Sequence, residues 1–168
     1  MRRLITAMLS LVMLFSFMGC NKRVYEAKAK TFSKDGLTIT LTEAFSESKY
    51  EGYTLACDSG EVAFFALKES FAEYEGLEYA TLEEYAENVC LANADREPGE
   101  ITEIDGIPTM EYSFYNETSK QTYKYLVAMF KGPDAFWLVH FACKNTEYET
   151  YRSHFVEWVK SVSLTAAP

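Results

Sequence analysis

Few side chains in this sequence could carry nucleophilic or metal chemistry. They are four cysteines and two histidines: Cys20, Cys57, Cys90, Cys143, His140 and His154. A catalytic cysteine needs a histidine base within hydrogen-bond reach, and His140 and Cys143 are the nearest such pair along the chain. They are three residues apart on a predicted strand, where residues at that spacing point to opposite faces. We therefore predict no Cys–His catalytic centre.

The other signs of chemistry are also missing. Neither histidine belongs to a recognised pattern of paired cysteine and histidine ligands, and His154 is interpreted as a surface residue of the last helix. Phosphate-binding loops, zinc-protease helices and nucleophile elbows are absent from the sequence. The acidic pairs Glu83/Glu84 and Glu147/Glu149 stand at predicted helix starts, where the helix dipole favours negative charge. The sequence thus predicts no catalytic residue, metal ion or cofactor.

Cys20 has a different setting, because it ends a run typical of a bacterial lipoprotein signal peptide. Two arginines follow the initiator, the fifteen residues from Leu4 to Met18 are mostly apolar, and Gly19 is the small residue needed before cleavage. The run is too short for a transmembrane helix, which needs about 20 apolar residues. We predict cleavage after residue 19 and lipid attachment to Cys20.

Two other export signals compete with this interpretation. An ordinary secretory signal would make Cys20 incidental, but no A-x-A-like site lies near the end of the apolar run. A twin-arginine signal would use Arg2 and Arg3, yet the rest of that motif is missing. The expected protein is therefore extracytoplasmic and anchored to the cell membrane by the lipid on Cys20. A diacylglyceryl group supplies the two chains that stable anchoring requires.

Charge and composition limit the class of partner. Removal of the leader takes two of the 16 basic residues and no acidic one, which changes the formal charge from −9 to −11. Nucleic-acid binding is driven by Lys and Arg, so nucleic acid is excluded as a partner.

We expect residues 20–30 to be a lipid-anchored tether and residues 31–164 to form a single domain.

Three cysteines remain beside Cys20: Cys57, Cys90 and Cys143. An odd number leaves either one disulfide with a free thiol, in any of three pairings, or three free thiols. None of the three belongs to a close-spaced pattern such as C-x-x-C. We therefore favour three free thiols.

Strand and turn signals dominate the first third of the domain. Leu37, Ile39 and Leu41 alternate with threonines after the turn 34–36, which predicts a hairpin. A second hairpin turns at 58–60 and continues into the run 62–67, which is apolar at every position and so typical of a strand covered on both faces. Thr81 and Glu84 then form a capping box at the start of a helix.

The rest of the domain reads as a meander followed by a helix. Strands are predicted over 101–104, 109–115, 123–131 and 136–143, with turns between them. Apolar residues from Tyr148 to Val162 recur at three- and four-residue spacing, which predicts a final helix. The fold class is therefore α+β, with an antiparallel sheet and helices packed on its faces.

Aromatic side chains are concentrated on two neighbouring predicted strands. The candidates for a tyrosine-rich binding surface are Tyr112, Phe114, Tyr123 and Tyr125, with Tyr115 beside them. Cross-strand aromatic packing under a helix is the competing interpretation, and we favour it.

Several segments resemble the PsbP-like superfamily, the α/β/α sandwich shared by an extrinsic photosystem II subunit and the Ran-binding factor Mog. The resemblance rests on LTITLTEAF, EVAFFALKE, TLEEYAENV, DGIPTMEYSF, DAFWLVHFAC and FVEWVKSVSL. Small lipoproteins of unknown function from anaerobic Gram-positive gut bacteria are more similar still. The resemblance implies an antiparallel sheet between helices and a role in binding or assembly.

Two functional hypotheses follow. The first is a non-catalytic, membrane-anchored module that binds a protein or envelope component. The second is an envelope enzyme or small-ligand-binding lipoprotein, with a pocket formed across the sheet.

Overall fold

Strands that are apolar on both sides determine the layering of the fold. The computed structural model describes residues 23–74, 76–94 and 98–166. Within them a seven-stranded antiparallel sheet is formed by β3 (Ser46–Ser48), β4 (Leu55–Asp58), β5 (Val62–Ser70), β6 (Thr102–Ile104), β7 (Ile107–Asn116), β8 (Gln121–Lys131) and β9 (Ala135–Lys144). The strand order is β3-β4-β5-β9-β8-β7-β6. The centre of the sheet is thus made of β5, β9 and β8.

One helix covers each face of this sheet. Helix α1 (Leu82–Ala92) lies over β7 and β8 and encloses the α1-side core, which includes Tyr85, Val89 and Phe65. Helix α2 (Tyr148–Lys160) lies on the other face and encloses the α2-side core, which includes Phe141 and Phe155. The α+β fold with helices on both faces of an antiparallel sheet is confirmed.

A second, smaller sheet shares the α2 side of the large one. It consists of β1 (Ala29–Lys34), β2 (Leu37–Thr42) and β10 (Ser163–Leu164), in the order β1-β2-β10. The apolar side chains of β2 that alternate with threonines are fully buried in the α2-side core. The predicted first hairpin is therefore present, and it forms a layer of its own.

Two hairpins are set by two-residue turns. Asp35 and Gly36 join β1 to β2, and Asp105 and Gly106 join β6 to β7. All four residues have positive φ, from 48° to 97°. Asp-Gly is a preferred pair for this type I′ geometry, because both central residues must be left-handed. These turns fix the register of both hairpins.

The start of the domain differs from the prediction. Residues 20–30 were expected to be a tether, but from Arg23 onward the chain is part of the fold. Val24 lies in a short 3-10 helix, Val24–Glu26, and is only 3% exposed. Its carbonyl accepts a hydrogen bond from the Thr42 hydroxyl at 2.8 Å. The burial of Val24 could not be predicted from the sequence, because a single apolar residue among polar and charged residues shows no periodicity.

The short strands β3 and β10 were also missed, since two or three residues are too few to show alternation.

The predicted leader 1–19 and Cys20 lie outside the described residues. No helix of the described part is long and apolar enough to cross a membrane.

The aromatic centre of the α2-side core should dominate stability. Phe141 is fully buried and its ring contacts Phe64, Phe155 and Trp158. Phe141→Ala should lower the free energy of unfolding by about 3–5 kcal/mol, because it leaves a cavity in a close-packed core. The exposed Leu91→Ala is the control and should change it by less than about 0.5 kcal/mol. Denaturant unfolding measures both; equal losses would contradict this assignment of the core.

Candidate functional site

His140 and Cys143 do not form a site together. Both are buried on β9, but Cys143 belongs to the α2-side core. The His140 ring lies 6.0 Å from that of Tyr53, which packs against the α1-side core. The sheet therefore separates the two side chains, as the period of a strand predicts.

The three thiols of the described residues are unpaired, and two of them lie in an unreactive environment. Cys57, Cys90 and Cys143 are free. Burial, reinforced by the charge of Glu47, raises the pKa of Cys57 to about 12. Burial and the charge of Glu147 raise the pKa of Cys143 to about 12 as well. A nucleophilic cysteine needs the opposite shift, because the thiolate is the reactive form.

The four aromatic candidates for a binding surface lie mainly beneath α1. Tyr112, Tyr123 and Tyr125 are at most 7% exposed, and Phe114 is half-buried. The rings of Tyr112 and Tyr125 stack across β7 and β8 with centroids 4.7 Å apart. The structure thus brings the four together as cross-strand packing, with Phe114 the most accessible of them.

A buried carboxylate lies on the same side of the sheet. Glu69 is 6% exposed and accepts a hydrogen bond from the Tyr85 hydroxyl. Burial raises the pKa of Glu69, and the Tyr85 hydrogen bond offsets only part of this shift. The Tyr85 ring stacks on Phe136 at 4.1 Å. This pair ties α1 to β5 and β9.

The opposite side of the sheet carries a compensated acidic residue. Glu111 on β7 is bound by Lys124 at 3.1 Å and Arg152 at 2.9 Å. Burial acts to raise the pKa of Glu111, but Lys124, Tyr148 and Arg152 outweigh it and hold that pKa below its ordinary value. Lys124 also lies 4.1 Å from the centre of the Tyr148 ring. This cluster fixes the start of α2 to β7 and β8.

The first described residues are held against α2. Arg23 forms an ion pair with Glu147 at 3.3 Å. The Tyr25 ring stacks on His154 with centroids 4.0 Å apart and an interplanar angle of 11°. His154 is therefore a half-buried packing partner, where the sequence predicted a surface histidine. These contacts place the first described residues, Arg23 to Tyr25, on the α2 side of the large sheet.

Among the described residues, strand β7 has no paired strand beside its outer edge over part of its length. Strand β6 pairs with β7 only up to Thr109, and the carbonyl of Glu111 accepts from the Gly99 amide at 2.8 Å. Backbone groups of alternate residues point to the same side of a strand, so those of Ser113 and Tyr115 also point outward. Among the described residues nothing bonds to them there. We call residues 113–115 the open edge.

The side chains of the open edge are exposed, and they lie near the start of α2. Ser113 is exposed and the Tyr115 side chain is 48% exposed. Tyr123 is paired with both Phe114 and Lys144, so the open edge lies at the end of the sheet where β9 stops and α2 begins. Sequence reasoning noted Tyr115 as aromatic but missed the edge, because strand order cannot be read from periodicity.

Solved structures show which fold this is. The solution structure of cyanobacterial PsbP (CyanoP) from Synechocystis sp. PCC 6803 superposes with a TM-score of 0.56 at 8% identity, covering 89% of this chain and 98% of that one. The chain has a PsbP-like fold. The fold expected from the sequence resemblance is thus confirmed.

A crystal structure from Bacteroides thetaiotaomicron aligns at 11% identity with a TM-score of 0.44, over 81% of this chain and 48% of that one. The sequence matches no family model and no curated protein.

The thiol environments give a direct prediction. In a Cys20→Ala variant, Ellman's reagent should modify one thiol of the native protein, the half-buried Cys90, and all three after unfolding. Cys57 and Cys143 should resist modification because burial keeps them protonated. A Cys90→Ala change in the same background should abolish the native reaction. Rapid modification of two or three thiols in the folded state would contradict these assignments.

Glu69 should make stability depend on pH. Because burial raises the pKa of Glu69, its protonated form stabilises the native state. This stability is fully present below the ordinary pKa of 4.5 and is lost as pH rises through the raised native pKa. The Glu69→Gln variant keeps an acceptor for Tyr85, so its stability relative to the parent should rise from pH 4.5 upward.

Denaturant unfolding at several pH values measures this difference. The matched control is Glu87→Gln on the exposed side of α1, which removes the same formal charge. If the Glu69 and Glu87 variants differ from the parent by the same amount at every pH, the burial of Glu69 has no energetic consequence.

Proposed function

We propose that this protein is a membrane-anchored extracytoplasmic module that binds or assembles proteins and has no catalytic role. The observation that carries the proposal is the signal-like run that ends at Cys20, followed three residues later by the packed domain. The lipid on Cys20 holds the module at the cell membrane. Its PsbP-like fold supports a binding role by analogy with the fold.

The distance between anchor and domain is short. Three residues span at most about 11 Å when extended, and Arg23 is already held by Glu147. A domain on so short a connection stays next to the membrane and cannot search widely for a partner. The first described residues, Val24 and Tyr25, pack on the α2 side, so the proposed lipid attaches close to that side of the domain.

The non-catalytic part of the proposal is supported by the chemistry of the candidates. The sheet separates His140 from Cys143, and burial raises the pKa of both buried thiols. Within the described residues no three histidine, cysteine or acidic side chains group as metal ligands.

Substitution of the anchoring cysteine tests the proposal. In a bacterial host that acylates lipoproteins, the unmodified chain should partition into the detergent phase of Triton X-114. Cys20→Ala should move it to the aqueous phase, because the acyl chains supply the membrane affinity. Cys90→Ala is the control and should stay in the detergent phase. A Cys20→Ala protein that remains with detergent would refute the lipid anchor.

A further inference from the structure

The anchored end of the chain differs in charge from the rest of it. Residues 20–49 contain six basic and four acidic residues, whereas residues 50–168 contain eight basic and 21 acidic residues. The second part therefore accounts for the whole negative charge of the chain, and it is repelled by other anionic surfaces. Residues 20–49 have a net charge of the opposite sign, and they directly follow the proposed cleavage site.

Three of these basic residues lie in a row along strand β1. Lys30 and Lys34 are on the strand, and Lys28 precedes it, where its carbonyl accepts a hydrogen bond from the Glu43 amide at 2.7 Å. Side chains two residues apart share a face of a strand, and all three lysines are exposed. The row is about 20 Å long at the usual rise per residue. We call Lys28, Lys30 and Lys34 the lysine row.

The lysine row lies at the outer margin of the small sheet. Within the described residues β1 has a paired strand on one side only, which is β2. The Lys30 ammonium group lies 4.5 Å from the centre of the buried Phe32 ring, so its stem covers apolar surface while its charge stays accessible. The charge of Lys30 also acts against the raised pKa of Cys57 on β4. The row is therefore on the β4 side of the large sheet.

The described domain leaves the charges of the row unpaired. None of its three lysines forms an ion pair with a described residue, although Asp35 and Glu43 are exposed beside its two ends. Elsewhere the usual arrangement is the reverse, and ion pairs hold Lys68, Lys120, Lys124, Arg152 and Lys160. The ammonium groups of the row are thus available to an external anion.

We propose that the lysine row lies against anionic phospholipid headgroups of the membrane that holds the anchor. The proposal rests on the proposed function, and it names the surface of the domain that faces the bilayer. Anionic lipids attract lysines that are close to the membrane surface, and this attraction falls off within a Debye length. The row therefore needs a second feature that brings it near the headgroups.

The proposed lipid brings the row within this range. Val24 and Lys28 both contact the end of β2, because the Thr42 hydroxyl donates to the Val24 carbonyl at 2.8 Å and the Glu43 amide donates to the Lys28 carbonyl. Cys20 is three residues before Arg23, which is at most about 11 Å of extended chain. The Lys28 end of the row thus lies beside the tether, and the rest of the row can lie along the bilayer.

The acidic part of the chain favours the same orientation. Charges that are more than about 8 Å from the bilayer are largely screened at physiological salt. Strands β4 and β7 are separated by β5, β9 and β8, which corresponds to about 19 Å at the usual strand spacing. Contact through the row on the β4 side therefore holds the β7 side of the sheet beyond the range of repulsion. Contact through an acidic surface would be opposed by that repulsion.

Lysines on an edge strand have another role, because they prevent unwanted pairing with a strand of another chain. That role requires charge on β1 but no anionic surface. It therefore predicts that the row is equally accessible in every membrane. The two explanations differ in a measurable quantity, the dependence of lysine accessibility on lipid charge.

Lysine acetylation in vesicles measures this dependence. The acylated chain is inserted from dilute detergent into preformed vesicles of phosphatidylcholine, alone or mixed equally with phosphatidylglycerol, and acetylated residues are located by mass spectrometry. The lysine row should react at least about threefold more slowly in the mixed vesicles. Lys120, on the turn between β7 and β8, is the internal control and should react equally in both. Salt at about 1 M should remove the difference, because it shortens the Debye length to about 3 Å.

A matched pair of double variants tests whether the row acts as a unit. Lys28→Gln with Lys34→Gln removes two charges of the row, and the protection of Lys30 in mixed vesicles should fall below about 1.5-fold. Lys120→Gln with Lys160→Gln removes the same formal charge on the β7 side, where Lys160 pairs with Asp105, and should leave the protection of Lys30 unchanged. Equal effects of the two double variants would assign the protection to net charge and overturn the proposal.

The outcomes separate the lysine row from the anchor. Flotation with phosphatidylcholine vesicles tests the acyl chains alone, because these vesicles have no net charge. If the chain floats with them but the row reacts equally in both kinds of vesicle, the headgroup contact is refuted and the anchored module stands. Protection of the row in native membranes alone indicates a protein partner and also refutes the headgroup contact. If the chain does not float with phosphatidylcholine vesicles, the proposed function itself fails.

Discussion

The structure depends on central strands that cannot face water on either side. Every residue from Ala135 to Cys143 on β9 is buried, and β5 is buried from Val62 to Ala66. Such strands are stable only when both faces of the sheet are covered. Helix α1 supplies one cover, and α2 with the small three-stranded sheet supplies the other. The layer order follows from this single requirement.

Because both faces of the central strands are covered, charged side chains on the sheet need a hydrogen-bond or ion-pair partner. Glu69 is accommodated under α1 by the Tyr85 hydroxyl, and Glu111 is accommodated beside α2 by Lys124 and Arg152. The same packing raises the pKa of Cys57 and Cys143, since neither thiolate is stable in an apolar layer. The interior of the described domain is therefore devoted to packing.

Sequence periodicity predicted most of the helices, strands and turns, but it did not predict the edges of the sheets. The apolar run 62–67, the capping box of Thr81 and Glu84, and the Asp-Gly turn at 105 each have a local physical cause, and each is present in the structure. The packing of Val24 and the open edge of β7 depend on contacts between distant segments. Local pattern has no information about which distant segment becomes a neighbour. The packing of Tyr112 and Tyr125 could be favoured from the sequence because their strands follow each other along the chain and pair through a short turn.

Hydrogen exchange tests the central claim, that the strands covered on both faces hold this fold together. The amide exchange of Val139 and Phe141 on β9, which lies between β5 and β8, would be compared by mass spectrometry with that of Phe32 on the edge strand β1. The account predicts that Val139 and Phe141 exchange at least about tenfold more slowly than Phe32, because their amides open only when the whole domain unfolds. Exchange at Val139 and Phe141 as fast as at Phe32 would contradict it.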